Sequence, residues 1–322
     1  MTMREFAKLA NVSTSTVSKA FHGADDVSDE TKTYIFELAK KHGCYSKFFK
    51  GRFSKKVIAI LCAELNSGHY SDFVTKLQKF IEDSGHIAVV ASDHFNTDTQ
   101  AEMIDYFASY IHVDGILVLG LRTQLKRGHD IPIVSLFSSV DRSVDSVKSD
   151  MEGAMREALA LLYKLGHRDI AFLGEPLTKS TATCFQNVAR DYHDMTTYRY
   201  DAPERFQGSG ENGVRQMLLS GKRISALVCA YDEIAFGAIK ELKRNGISVP
   251  EDISVIGIDN IHATAYTETA LTSIDFNPDE ICLVAWDLLK KKMDNKFYKS
   301  PQQISLSSRL VVRESVGKAK KN

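Results

Sequence analysis

No apolar run in these 322 residues approaches the roughly 18 that a helix needs to cross a bilayer. A helical membrane protein is therefore not expected, and no membrane partner. The start, Met1-Thr2-Met3-Arg4-Glu5, turns polar at once and lacks an apolar core followed by a small-residue cleavage site. The chain is expected to stay in the cytoplasm. Five cysteines (Cys44, Cys62, Cys184, Cys229, Cys282) are odd in number, widely spaced and without a Cys-x-x-Cys pair. Three of them, Cys62, Cys229 and Cys282, lie in apolar runs, so reduced structural thiols are expected. Also lacking are the Gly-x-x-x-x-Gly-Lys-Ser/Thr phosphate loop, the His-Glu-x-x-His metal motif and the Gly-x-Ser-x-Gly nucleophile turn. The histidines are scattered, and His167, in a Leu-Gly-His turn, reads as a structural hydrogen-bonder. No acid/base or metal constellation emerges; neither a catalytic residue nor a cofactor nor a metal is expected.

Net charge is lacking too, since 41 Lys and Arg balance 41 Asp and Glu. The balance is a cancellation. Residues 1–56 hold eleven basic and six acidic side chains, a net +5, and the remainder carries −5. From Lys41 to Lys56 there are six basic residues and no acid. Charge alone is equally that of a solvated linker; a basic segment ahead of a mildly acidic body is also the footprint of a nucleic-acid-binding module.

The N-terminal pattern favours the module. Thr2-x-x-Glu5 is a capping box that opens a helix with Phe6, Leu9 and Ala10 on one face. Ser13 caps a second helix with Val17, Ala20 and Phe21 inward, ended by Gly23. Ser28, followed by Asp29 and Glu30, starts a third through Ile35, Leu38 and Ala39 to Gly43. Three short helices with a tight turn between the first two is the helix-turn-helix plan, whose second helix enters the major groove. The outward Thr14, Ser15, Thr16, Ser18 and Lys19 suit base edges and phosphates, although a Ser/Thr-rich helix start is explained equally well by capping.

The run Phe6-Ala7-Lys8-Leu9-Ala10-Asn11-Val12-Ser13-Thr14-Ser15-Thr16-Val17-Ser18-Lys19-Ala20-Phe21-His22-Gly23, with Val27-Ser28-Asp29-Glu30-Thr31, resembles the DNA-binding headpiece of the lactose/galactose repressor (LacI/GalR) family. The resemblance implies that Thr14, Ser15 and Lys19 read bases and that Thr16, Ser18 and His22 hold phosphate and sugar. Family members follow the headpiece with a hinge that wedges an apolar side chain into the minor groove. Here the linker Cys44–Lys56 is about four residues shorter than the common pattern and lacks its Pro-Asn start and Ala-Arg-x-Leu core. Two roles are open for Phe48 and Phe49: a wedge, with Lys47, Lys50 and Arg52 on phosphates, or docking of the headpiece.

From Val57 the texture changes. Apolar runs at 57–62, 87–90, 115–119, 131–136, 170–173, 226–229 and 254–258 alternate with amphipathic stretches such as 70–84 and 154–165. Strands alternating with helices imply doubly wound parallel sheets, here in two lobes around a cleft. Leu165-Gly166-His167-Arg168-Asp169-Ile170-Ala171-Phe172-Leu173-Gly174, Val249–Asn260 and Leu310–Ser315 are similar to segments of the same family. The fold implied is an all-α headpiece plus a periplasmic-binding-protein-like α/β body. Its expected divisions are a headpiece at 1–45, a hinge at 46–56 and an effector-binding and dimerisation domain at 57–322. Lobe one takes about 57–149 and 276–301, lobe two about 150–275 and 302–315.

Ligands of such sheets sit beyond the carboxyl ends of the strands. That selects Glu64–Tyr70, Ser92–Asp93, Thr181, Tyr231–Asp232 and Asp259. Carboxylates and aromatics there suit a polyol. The resemblance places His69 and Tyr70 at the family's aromatic pair and Asp259 at a hydroxyl-binding acid. Two departures count against an ordinary monosaccharide: many members have Arg where this chain has Thr181, and often Asn where it has Tyr231. Asp232 and Glu233 open a helix, and capping is the reading favoured for both. Gly208-Ser209-Gly210-Glu211-Asn212-Gly213 satisfies the dinucleotide spacing but lacks an apolar strand before it, so it reads as a loop ahead of a helix at 214–219. The expectation is a homodimeric repressor of carbohydrate-utilisation genes that binds operator DNA and a sugar-like effector. The alternatives are a binding protein without DNA function and an α/β enzyme.

Overall fold

The computed structural model describes residues 1–50, 55–125, 131–294 and 300–320, apart from the side chains of Ser46 and Lys50. Four helices form the N-terminal unit: α1 Met3–Leu9, α2 Thr14–His22, α3 Asp29–Lys41 and α4 Tyr45–Lys50. Each of the first three starts on the cap its sequence announces. Thr2 and Glu5 bond reciprocally, and Ser13 Oγ and Ser28 Oγ accept from Thr16 N and Thr31 N at 2.9 and 3.2 Å. Gly23 ends α2 at φ 72°, a left-handed conformation that costs glycine nothing. The expected face of α1 needs one correction. Leu9 is 48% exposed, and Ala7 takes its place beside Phe6 and Ala10 in the core, because the seven-residue helix turns Leu9 away from α2 and α3.

The body contains two six-stranded sheets of matching order. The first is built from β1 Val57–Cys62, β2 Ile87–Ser92, β3 Gly115–Leu121, β4 Ile133–Ser139, β5 Asp145–Ser149 and β11 Gln303–Leu306, ordered β11-β5-β4-β3-β1-β2. The second has β6 Asp169–Gly174, β7 Thr196–Asp201, β8 Ala226–Cys229, β9 Ser254–Ile258, β10 Thr272–Asp275 and β12 Arg309–Val311, ordered β12-β10-β9-β8-β6-β7. All pairings are parallel except β10 with β12. Central strands β3 and β9 are buried throughout, and β1 from Ile58 on, which is why they read as unbroken apolar runs.

Helices cover the faces: α5 Gly68–Asp83, α6 Thr97–Asp105 and α11 Pro278–Asp294 in lobe one; α7 Met151–Lys164, α8 Lys179–Ala189, α9 Gln207–Leu219 and α10 Asp232–Arg244 in lobe two. The third crossing between lobes departs from the expected Gln302. Gln303–Leu306 pair in register with Ser146–Ser149, so β11 extends lobe one and the chain crosses between Leu306 and Arg309.

The Gly-x-G-x-x-G segment also differs from its expectation: it is not a loop but the first turns of α9. A Cβ on Gly210 would lie 2.0 Å from the Ile234 carbonyl oxygen, and one on Gly237 would lie 2.0 Å from that of Gln207. The glycines let α9 and α10 pack backbone against backbone. They contact a helix, where a dinucleotide site would have a pyrophosphate.

Candidate functional sites: a DNA-reading helix and an interlobe cleft

Helix α2 separates its side chains cleanly. Val17, Ala20 and Phe21 are buried, whereas Thr14, Ser15, Lys19 and His22 are exposed and Thr16 and Ser18 half-buried. Thr16 is engaged in the cap, its Oγ1 2.7 Å from Ser13 Oγ. His22 Nδ1 lies 2.7 Å from the Ser18 carbonyl oxygen, which can only accept, so Nδ1 carries a proton and donates it there. Lys19 pairs with Asp26, and this lysine holds the Asp26 carboxyl below the usual carboxylate range. Both partners are about half exposed, so the pair is weak and exchangeable for a base or phosphate.

The expected hinge turns out differently. Its first half is α4, folded onto the headpiece. Phe48 is 3% exposed, with ring centroids 5.2 Å from Phe6 and 5.6 Å from Phe21. Phe49 stacks on Tyr45 at 5.4 Å and meets Phe21 edge-on. Docking, rather than wedging, is what Phe48 does here, because it is buried against Phe6 and Phe21. Consequently the headpiece extends past residue 45 through α4. Lys47 is exposed, with Nζ 3.3 Å from the Met1 carbonyl oxygen. The side chain of Lys50, and Arg52 altogether, lie outside the described residues.

Between the lobes, strand ends converge as the topology requires. Lobe one contributes Glu64 after β1, Asp93 and Phe95 after β2, Arg122 after β3 and Phe137 on β4. Lobe two contributes Glu175 after β6, Arg205 and Phe206 after β7, Tyr231 after β8 and Asp259 after β9. Among the described residues, three hydrogen-bonded or ionic contacts bridge the lobes. His69 Nδ1 meets Asp259 Oδ1 at 2.8 Å, the Gly68 amide donates to Glu233 Oε1 at 2.9 Å, and Arg205 Nη1 and Nη2 donate to the Glu64 carboxylate at 2.5 and 2.9 Å.

His69 is stacked among Phe73 and Phe137, at 5.0 and 4.8 Å. Burial opposes its charge, but the Asp259 carboxylate outweighs it and raises the His69 pKa. A pKa raised on folding stabilises fully below the unfolded value of about 6.5 and is lost as pH rises through the folded value. The melting temperature of the wild type relative to His69→Gln is therefore expected to be highest below about pH 6.5 and to decline above it; a difference independent of pH would refute the ion pair.

Asp93 is buried and saturated: it accepts from Phe95 N at 3.0 Å and Gln100 Nε2 at 2.7 Å, and pairs with Arg122. Tyr70 lies 6.0 and 6.3 Å from Phe95 and Phe137, and burial pushes its pKa up to about 12. Tyr231 Oη donates to Glu175 Oε1 at 2.9 Å and accepts from Phe206 N at 3.0 Å. Phe95, Phe137, Phe206 and Asp259 have φ of 62°, 71°, 57° and 101°, and such strain concentrates where a site must be held in one geometry.

Of the sequence-selected cleft residues, the structure brings together His69, Tyr70, Asp93, Tyr231 and Asp259. Thr181, on α8, makes no side-chain hydrogen bond to a described residue and joins none of these contacts. A guanidinium fork does reach the cleft, from Arg205 after β7, where it is bonded to Glu64. Sequence reasoning missed Arg205, Glu175 and Arg122, and with them Phe95, Phe137 and Phe206. Asp232 and Glu233 do open α10, but neither carboxylate caps it. Asp232 accepts from Ile261 N and Ser273 Oγ at 2.8 and 2.6 Å, and burial raises its pKa; Glu233 reaches lobe one. His167 is the structural bonder expected, 2% exposed between Ser225 Oγ and the Gly317 carbonyl, each at 3.0 Å. Among the described residues no cluster of three His, Cys, Asp or Glu side chains is placed to hold a metal, and no helix is long and apolar enough to cross a membrane.

A helix-turn-helix headpiece with an exposed reading face, joined to two lobes clasped over a cleft, defines a DNA-binding transcriptional regulator that responds to a ligand. Comparison with known proteins agrees. Residues 2–46 match the family of bacterial regulatory proteins, lacI family, and residues 159–316 match the periplasmic binding protein-like domain. The HTH-type transcriptional repressor PurR of Escherichia fergusonii is 29% identical over 98% of this chain and 96% of its own. Among solved structures, a transcriptional regulator CelR–cellobiose complex superposes with a TM-score of 0.68 at 23% identity, covering 98% of this chain and 99% of that one. A LacI-family regulator from Enterococcus faecalis V583 with bound ribose gives 0.71 at 18% identity, over 82% of this chain and 100% of that one. The chain belongs to the lactose/galactose repressor family, and is a ligand-responsive, DNA-binding repressor.

Proposed function

We propose that the protein is a cytoplasmic homodimer that represses carbohydrate-utilisation genes, its two headpieces reading half-sites of a near-palindromic operator. The sugar-like effector sits among His69, Tyr70, Asp93, Tyr231 and Asp259. The observation that carries the reading is the division of α2, whose exposed Thr14, Ser15, Lys19 and His22 back directly onto the buried Val17, Ala20 and Phe21. An effector that changes lobe closure changes the spacing of the headpieces, and operator DNA changes effector affinity by the same factor. Sugars named with the neighbouring structures, cellobiose and ribose, support a polyol.

Fluorescence anisotropy on the chain's own upstream DNA tests this. Lys19→Ala is expected to lose about 1–3 kcal/mol of discrimination between operator and random DNA. Thr16→Ala is expected to weaken both more evenly. The absence of any sequence-specific complex at moderate salt, with and without cell metabolites, would sink the reading.

A further inference from the structure

The guanidinium of Arg205 sits in a box with every wall defined. Its Cζ lies 4.5 Å from the Phe206 ring centroid and 5.2 Å from that of Phe95. Glu64 takes both terminal nitrogens, and Nε donates to both oxygens of Glu175 at 3.2 Å. The two carboxyl groups are 8% and 1% exposed as residues, whereas the Arg205 side chain that reaches them is 32% exposed. The walls are more firmly held than their occupant. Phe206, at φ 57°, donates its backbone N–H to Tyr231 Oη, and that hydroxyl in turn donates to Glu175. Phe95 is fixed at φ 62° by its amide bond to the buried Asp93.

Two aromatic faces and two carboxylates are the chemistry that binds an organic cation. We propose that this box is a cation subsite of the effector cleft which the chain's own Arg205 fills, and that the effector carries an ammonium or guanidinium group beside its hydroxyls, entering by displacing Arg205. The proposal rests on the effector reading above and names the ligand class for it. Charge points the same way. The box holds two carboxylates against one guanidinium, while Arg122 is committed to Asp93 and His69 to Asp259. A phosphorylated or carboxylated ligand would meet a net negative wall. Because Glu64 belongs to lobe one and Arg205 to lobe two, displacement would also release one of the three contacts between lobes.

The test empties the box and offers it a cation of the same chemistry. Ethylguanidinium chloride is titrated calorimetrically into wild type, Arg205→Ala and the double variant Arg205→Ala/Glu64→Gln, with methyl phosphate as the anionic probe. Saturable binding to Arg205→Ala at least tenfold tighter than to the wild type, lost in the double variant, is the expected result. Equal ethylguanidinium affinity in all three proteins, or saturable binding of methyl phosphate, would overturn the proposal. Should Arg205→Ala fail to fold, Arg205→Gln keeps the stem and carries the same comparison. None of these measurements involves DNA, so failure here is distinct from failure to find an operator.

Discussion

Replacing Phe48 by alanine is expected to melt the headpiece while leaving the two-lobed body folded. The ring is 3% exposed and packs edge-on against Phe6 and Phe21, both fully buried in that small core. Truncating a buried Phe costs about 3–5 kcal/mol, because the lost transfer energy is joined by a cavity that neighbours fill only in part. A unit of some fifty residues has roughly 3–7 kcal/mol to lose. Calorimetry should therefore show an early headpiece transition in Phe48→Ala, with the body transition unmoved, and anisotropy should show specific DNA binding reduced by two or more orders of magnitude. Phe49→Ala, at a half-buried position stacked on Tyr45, should cost about 1 kcal/mol and keep most of the binding. A minor-groove wedge would give a different result: an intact free headpiece in both variants, with loss confined to DNA bending. That outcome for Phe48 would move it out of the core role described above.

Why the sequence misled at Phe48 and not at Phe21 is a matter of register. Phe21 repeats with Val17 and Ala20 at helical spacing, so its burial is readable; Phe48 lies five residues past Gly43 and sits among cations, and nothing local says that Tyr45–Lys50 folds back as a helix. The strands of the body were legible where both faces are covered, since β1, β3 and β9 are unbroken apolar runs. At β7 the same logic failed. Thr196–Asp201 is half-buried, with Arg199 and two tyrosines, and it has no apolar signature. The loop after it therefore does not show as a strand end, and Arg205 and Phe206 leave no signal in the sequence. Glu175 is hidden differently: it lies one residue past β6, in the turn before Pro176. Pairings across lobes, such as Arg205 with Glu64, are 141 residues apart and leave no local trace. The strained positions of the cleft, Phe95, Phe137, Phe206 and Asp259, are set by tertiary closure, and a residue such as Phe206 at φ 57° contradicts its own local preference.

The second large effect falls on a segment that resembles a nucleotide motif. Gly237→Ala places a Cβ 2.0 Å from the Gln207 carbonyl oxygen and 2.7 Å from its carbon, and these are backbone atoms that no rotamer change can remove. Helices α9 and α10 must separate, so the cost belongs at or beyond the upper end of the 1–3 kcal/mol usual for overpacking. Gly210→Ala meets the Ile234 carbonyl and the Ala238 amide and should behave alike. Gly208→Ala is the control: its nearest neighbour is the Glu204 Cβ at 3.1 Å, which need give by only a few tenths of an ångström, and alanine is the better helix former by up to about 1 kcal/mol. For a lobe of this size each kcal/mol moves the melting point by about 2–4 °C. Gly237→Ala should therefore melt some 6–12 °C early, while Gly208→Ala stays near the wild type. The same displacement reaches the cleft. Phe206 and Tyr231 are the residues immediately ahead of α9 and α10, so parting the helices breaks the Phe206 N to Tyr231 Oη bond that orients Glu175. The Arg205 contacts to Glu64 should weaken with it, and ethylguanidinium should compete more readily in Gly237→Ala than in the wild type. Were the glycines instead a phosphate cradle, Gly208→Ala would be as damaging as the other two, and the stability of the ligand-free protein would hardly change in any of them.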